Sequence, residues 1–218
     1  MERAYTLGLY EKAMPSDLTW REKLLAAKEA GFDFVEISID ETDAKLSRLD
    51  MTKEERLGLV RLMQETGVPI RTMCLSGHRK YPLGSSDPAV EARGIEIMEK
   101  AIRLAEDLGI RIIQLAGYDV YYEESTFETK KRFLANLKKA ADMAAKAGVT
   151  MGFETMENAK WPPWRSIPWP ARTVWSSTSP APTPPTSPAT LWCSLTTGAI
   201  PALARSPAAR KSPAPWRT

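Results

Sequence analysis

The sequence predicts an α/β fold of the (β/α)8 barrel type, of which this chain carries about the first five βα units. Three observations predict it. Gly31, Gly67, Gly109 and Gly148 stand 36, 42 and 39 residues apart, and each closes a helix-like apolar pattern. Within three residues of each glycine a short run rich in β-branched or aromatic side chains begins, so the repeat is helix, glycine, strand, loop. Loops after the strands are long and turns after the helices are short, as in barrels that build their sites at one end. Repeated βα units require parallel strands joined by right-handed crossovers. A doubly wound sheet shares the repeat; the loop asymmetry favours the barrel.

Residues 4–10 form the first short apolar strand. Thr19-Trp-Arg-Glu22 is a capping box, in which hydroxyl and carboxylate satisfy free N–H groups at a helix start. Trp20, Leu24 and Ala27 follow on one face, with Leu25 beside them. Residues 32–38 make strand two. Thr52-Lys-Glu-Glu55 caps a helix carrying Leu57, Val60 and Met63, and residues 70–75 make strand three. Asp87-Pro88 sets an N-cap acid before an N1 proline, opening a long helix with Ile95, Met98, Ile102 and Ala105. Residues 111–116 are strand four. Ser125-Thr-Phe-Glu128 reads as a third capping box, before Phe133, Leu134, Leu137, Ala141 and Met143. The fifth strand lies within 148–157 and places Glu154 at its end.

The text then changes. Residues 160–218 hold 13 of the 17 prolines and six of the seven tryptophans, and no acid. Residues 180–188 fit neither a helix interior nor a central strand. The chain thus divides into a barrel segment, 1–158, and a Pro/Trp/Ser/Ala-rich tail, 159–218. A disordered tail, a proline-rich ligand segment and out-of-frame translation of a GC-rich gene compete for that tail. The tryptophans argue against the first and the scattered Pro-x-x-Pro spacing against the second, so the composition favours the third.

Net charge follows the same division. Residues 1–157 hold all 27 acids and 23 of the 30 bases, and the overall +3 comes from the tail. A mildly acidic body argues against a nucleic-acid groove. No apolar run is long enough for a membrane span, and the first residues lack an apolar signal core. Cys74 and Cys193 make neither a disulfide framework nor a metal spacing, which fits a reduced cytoplasmic setting.

Strand ends and the loops after them supply the chemistry of such a barrel. They offer Glu36, Ser38 and Asp40 after strand two, and His78, Arg79 and Lys80 after strand three. Gln114, Tyr118 and Asp119 follow strand four, and Glu154 and Glu157 follow strand five. No dinucleotide, Walker, zincin or nucleophile-elbow motif is present. Each candidate has an ordinary reading beside the chemical one. Glu154 and Glu36 also read as ion-paired carboxylates, His78 as a hydrogen-bonded loop residue, and Arg79-Lys80 as a solvated pair. Two cations beside a histidine at a barrel mouth also suit a substrate phosphate. Cys74 reads as core.

Several long stretches carry a resemblance. Leu7-Gly-Leu-Tyr-Glu-Lys-Ala13, Gly31-Phe-Asp-Phe-Val-Glu36, Cys74-Leu-Ser-Gly-His-Arg79 with Pro82-Leu-Gly84, and Ile113-Gln-Leu-Ala-Gly-Tyr-Asp-Val-Tyr-Tyr122 resemble the L-xylulose/L-ribulose 5-phosphate 3-epimerases, of the xylose-isomerase-like barrel class. The resemblance runs from about residue 7 to 157. It implies an isomerase of pentose catabolism acting on a small sugar phosphate, without nucleic acid or membrane as partner. It implies a divalent metal, zinc or manganese-like, held by two glutamates, an aspartate and a histidine, the first glutamate falling on Glu154. Glu154 is then both metal ligand and acid–base group, and Glu36, His78 and Arg79 face the substrate. The family's aspartate lies in a Tyr-Pro-Asp-Ile-Gly-Asn motif that this chain lacks, and no Asp, Glu or His follows Glu157. An inactive chain that pairs through exposed sheet edges, as a homodimer, is the expectation. A hexulose-phosphate isomerase, a metal-dependent endonuclease and a non-catalytic half-barrel with a partner-binding tail stand as alternatives.

Overall fold

A computed structural model describes residues 5–154 and two short strands beyond them. The strands are β1 (Thr6–Tyr10), β2 (Phe34–Ile39), β3 (Ile70–Leu75), β4 (Ile112–Ala116), β5 (Thr150–Glu154), β6 (Val174–Ser176) and β7 (Thr190–Cys193). The helices are α1 (Trp20–Glu29), α2 (Asp43–Leu46), α3 (Lys53–Thr66), α4 (Pro88–Leu108) and α5 (Phe127–Lys146). All strand pairings are parallel, and the sheet runs β6-β5-β4-β3-β2-β1-β7. The first five strands follow chain order and carry helices on one side, which is the half-barrel expected of consecutive βα units. Two short strands past residue 158 add to the sheet: β6 extends the β5 edge and β7 the β1 edge. Both lie outside the proline-dense 180–188 stretch.

Alternation along the strands separates two faces. Val35, Ile37, Ile39, Met73, Leu75, Ile113, Leu115, Met151 and Phe153 join the helices in one apolar core. Leu24, Ala27, Ile97, Met98, Ala101, Leu104, Leu137 and Ala140 complete it from the helix side, each at most 1% exposed. The intervening residues, Tyr10, Glu36, Ser38, Thr72, Cys74, Gln114 and Glu154, form the other face, the inner wall. Period-2 alternation puts every second side chain there, and on this wall most are polar.

Helix starts follow the sequence closely. Thr19 with Glu22 and Thr52 with Glu55 make complete capping boxes, and Asp87 caps α4 ahead of Pro88. All four period-setting glycines have positive φ, between 67° and 81°. The third box shifts by one residue. Thr126, not Ser125, caps α5, with Thr129 as its reciprocal partner. Ser125 instead donates to the buried Asp119 carboxylate at 3.0 Å, which outcompetes a helix end for that hydroxyl. On α3 the buried face is Leu59 and Met63, while Leu57 is exposed, because packing against the sheet sets the helix rotation. Helix α2 and the 3-10 turn Ser47–Asp50 were not anticipated.

Candidate active site

Glu154 ends β5 and Gln114 lies on β4, and the Gln114 Nε2–H donates to Glu154 Oε2 at 3.1 Å. Gly117 makes that placement possible. Its N–H donates to the Glu154 carbonyl at 2.9 Å, and a Cβ at Gly117 would lie 2.5 Å from the same oxygen. The end of β4 therefore closes directly on the end of β5, fixing both backbone and carboxylate of Glu154.

Glu36 is the second carboxyl of the wall. It is 5% exposed, and burial first, then the charge of Glu154, pushes its carboxyl up to about 8. Among the described residues its Oε1 has no hydrogen-bond partner, and neither has Oγ1 of Thr72, its register partner on β3. The Tyr10 O–H donates to Ser38 Oγ at 3.2 Å. Cys74, expected in the core, stands half-buried on this polar wall because β3 is read on the alternate register. Burial, then Glu36, pushes its thiol up to about 11, so it stays a thiol at neutral pH.

The structure brings Glu36 and Glu154 to one wall, buries His78 against α4 and sets Arg79 against the tyrosines of the β4–α5 loop. His78 is 7% exposed, and its Nε2–H donates to the Gly94 carbonyl of α4 at 3.0 Å. Burial pulls the imidazole down to about 4, so the ring is neutral. Arg79 lies in the short turn Gly77–Arg79 with its guanidinium 4.7 Å from the Tyr121 ring centroid. Tyr122 donates to Glu41, tying the β4–α5 loop to the loop after β2. Asp119, another strand-end candidate, accepts from Ser125 and Thr129 and holds its own loop. Glu157 lies outside the described residues.

Beside the wall, at the ends of β1 and β2, sits a charge cluster that the sequence reading missed. Glu11 is 1% exposed and accepts from Arg48 at 2.8 Å through each oxygen, and from Lys45. Arg48 also donates to the Ser38 carbonyl and stacks 5.0 Å from the Trp20 ring centroid. The only signal was an acid immediately after an apolar strand. Thr72 was missed for a related reason: its neighbours on the strand are apolar or basic, so it reads as filler.

Comparison with known proteins places this geometry. The model of the xylose isomerase-like TIM barrel family matches residues 24–169. Proteins named L-ribulose-5-phosphate 3-epimerase UlaE, from Escherichia coli strain SMS-3-5 and Shigella sonnei strain Ss046, are 55% identical over 157 residues. That match covers 72% of this chain and 55% of theirs, so the chain spans little more than half the length of these relatives. Among solved structures, an L-ribulose 3-epimerase superposes with a TM-score of 0.53 at 27% identity, covering 69% of this chain and 49% of that one. The D-psicose 3-epimerase of Clostridium cellulolyticum H10 superposes at 0.59 and 15% identity, over 69% and 52% of the two chains, a likeness of fold. Among the described residues, no helix is long and apolar enough to cross a membrane. A family match over most of the chain, on five parallel βα units with a polar inner wall, shows that the chain belongs to the xylose isomerase-like TIM barrel family.

Proposed function

We propose that residues 1–158 are the N-terminal part of a barrel that interconverts L-xylulose 5-phosphate and L-ribulose 5-phosphate by epimerisation at C3, and that the chain as it stands does not turn over. The observation that carries this reading is the 55% identity to proteins named L-ribulose-5-phosphate 3-epimerase, over a stretch as long as the whole barrel segment.

The C3 proton of a ketose is acidified by the neighbouring C2 carbonyl. Glu154 stands at the carboxyl end of β5, where barrel sites form, and is suited to take or return that proton. Gln114 holds Oε2, which leaves Oε1 for the proton and restricts the carboxylate's rotation. Inversion also needs a group on the opposite face of C3. Residues 158–218 contain no Asp, Glu or His to provide it.

The epimerase reading implies a divalent metal, zinc or manganese-like, that would stabilise negative charge on the substrate oxygens. Among the described residues no three His, Cys, Asp or Glu side chains gather to hold one, so this set does not fit a metal. The substrate is a small sugar phosphate, and the free thiol of Cys74 is compatible with the cytoplasm. The tail 159–218 adds β6 and β7 to the sheet edges but supplies no acid or histidine to the site. Another reading frame past codon 158 that restores acids and periodic helices would identify it as out-of-frame translation.

The test is a chimera of residues 1–157 followed by the remaining C-terminal part of the Escherichia coli relative. It is expected to interconvert the two pentulose phosphates, and Glu154→Gln is expected to lower kcat by at least about 100-fold, the lower range for a positioned acid–base group. A folded chimera that leaves both pentulose phosphates untouched but isomerises a hexulose phosphate would replace the reading with the isomerase alternative.

A further inference from the structure

Two polar atoms on neighbouring strands of the inner wall are buried and unsatisfied. Glu36 on β2 and Thr72 on β3 are register partners, 5% and 2% exposed. Oε1 of Glu36 and Oγ1 of Thr72 have no hydrogen-bond partner among the described residues. A polar atom buried without a partner loses its hydrogen bonds to water and gains none in return, which destabilises the fold. Two side by side on the wall that also carries Glu154 point to a ligand that supplies what the protein withholds.

The chemistry selects the ligand. A carboxyl oxygen and a hydroxyl together suit groups that both donate and accept, which is what adjacent hydroxyls of a carbohydrate chain do. A phosphate is disfavoured, because the Glu36 carboxyl already lies within reach of the like charge of Glu154. A hard cation is disfavoured as well, since it needs six or more oxygens and no cluster of three His, Cys, Asp or Glu forms among the described residues. Tyr10 and Ser38, the nearest polar neighbours along the wall, are bonded to one another.

We propose that Glu36 and Thr72 form a subsite that holds the C1 hydroxyl and the C2 oxygen beside it, at the non-phosphorylated end of the sugar, so that the phosphate lies away from the β2–β3 wall. The proposal deepens the epimerase reading and rests on it for the identity of the sugar. Glu36 and Thr72 pair in register on the wall that also carries Glu154, whose charge reaches Glu36. Thr72 becomes a positioning residue, acting on the substrate's hydroxyls and not on its C3 proton.

The test uses the full chain with two probes, unphosphorylated L-ribulose and inorganic phosphate, followed by saturation-transfer NMR titration. L-ribulose is expected to bind, with its dissociation constant raised roughly threefold to tenfold by Thr72→Val, the loss of one neutral hydrogen bond. Glu36→Gln is expected to weaken it by a similar factor, and phosphate is expected not to compete. Far-UV circular dichroism and the urea midpoint establish that each variant is folded. No binding of L-ribulose by the folded chain, equal binding by Thr72→Val, or displacement by phosphate would each overturn the proposal. L-ribulose binding that depends on Thr72, with a chimera inactive on pentulose phosphates, would keep the subsite and reject the epimerase reading. An active chimera with L-ribulose binding indifferent to Thr72 would do the reverse.

Discussion

Replacing Glu36 by Gln should flatten the pH dependence of stability near neutrality. The Glu36 carboxyl is 5% exposed and sits at about 8 in the fold, against 4.5 ordinarily, because burial and then Glu154 disfavour its charge. A raised carboxyl works in one direction: its stability contribution is complete below pH 4.5 and is lost as pH rises toward 8. Between those values the unfolded chain ionises while the folded chain stays protonated, at about 1.4 kcal/mol per pH unit. Accumulated from 4.5 to 7, the loss is about 3 kcal/mol. The best window is pH 6.5 to 7.5. The unfolded His78 is half protonated at 6.5 and loses that proton across the window, which offsets about 0.3 kcal/mol in both proteins, and Lys45, brought down to about 8 by burial and then by Arg48, starts to titrate at its upper end. Urea unfolding by circular dichroism, in chelator, should show the wild type losing about 1 kcal/mol across it, roughly a third to one molar in midpoint. The Glu36→Gln variant should show no loss and a rise of a few tenths of a kcal/mol. Parallel curves for the two proteins would refute the assignment of Glu36 as a buried neutral carboxyl.

Four further outcomes follow from named contacts. In a Glu36→Gln background, stability should fall by about 2 kcal/mol between pH 6.5 and 5 as the unfolded His78 takes up protons that the buried ring refuses, and His78→Gln should remove that fall. Glu11→Ala leaves the Lys45 and Arg48 cations without their buried partner and should cost about 3–5 kcal/mol in urea midpoint analysis, whereas the exposed Arg21–Glu65 pair should cost under about 1 kcal/mol when broken. Gly84→Ala should destabilise by about 2 kcal/mol or more, because the new Cβ would lie 2.5 Å from the Thr129 carbonyl and 2.7 Å from that of Asp119, neither of which can yield. The full chain should show no metal-dependent epimerase turnover and should self-associate on light-scattering chromatography, since a sheet whose outer strands are three and four residues long keeps open edges; a monomer that turns over would reject both statements.

The local grammar was legible in the residues themselves. Helix starts at Thr19, Thr52 and Asp87, helix ends at the four period-setting glycines, and the positions of the five strands between them all depend on residues within a few positions of one another. So did the place of Glu154, because a strand end is a local event. Register and rotation were not legible. Cys74 looked like core and Leu57 like a buried face, yet a strand's two faces and a helix's rotation are assigned only by what packs against them. The same holds for His78, whose ring is taken by the Gly94 carbonyl of α4, and for Glu11, whose partners Lys45 and Arg48 lie more than thirty residues away.

The sequence by itself determined the βα repeat and the family likeness, since periodicity and capping need no third dimension. Tertiary structure alone decided which side of each strand faces inward, and so set Glu36, Thr72 and Glu154 on one wall while withdrawing His78 from it. Burial and electrostatic coupling are properties of neighbours in space, and a chain fixes those neighbours only once its sheet has chosen a register.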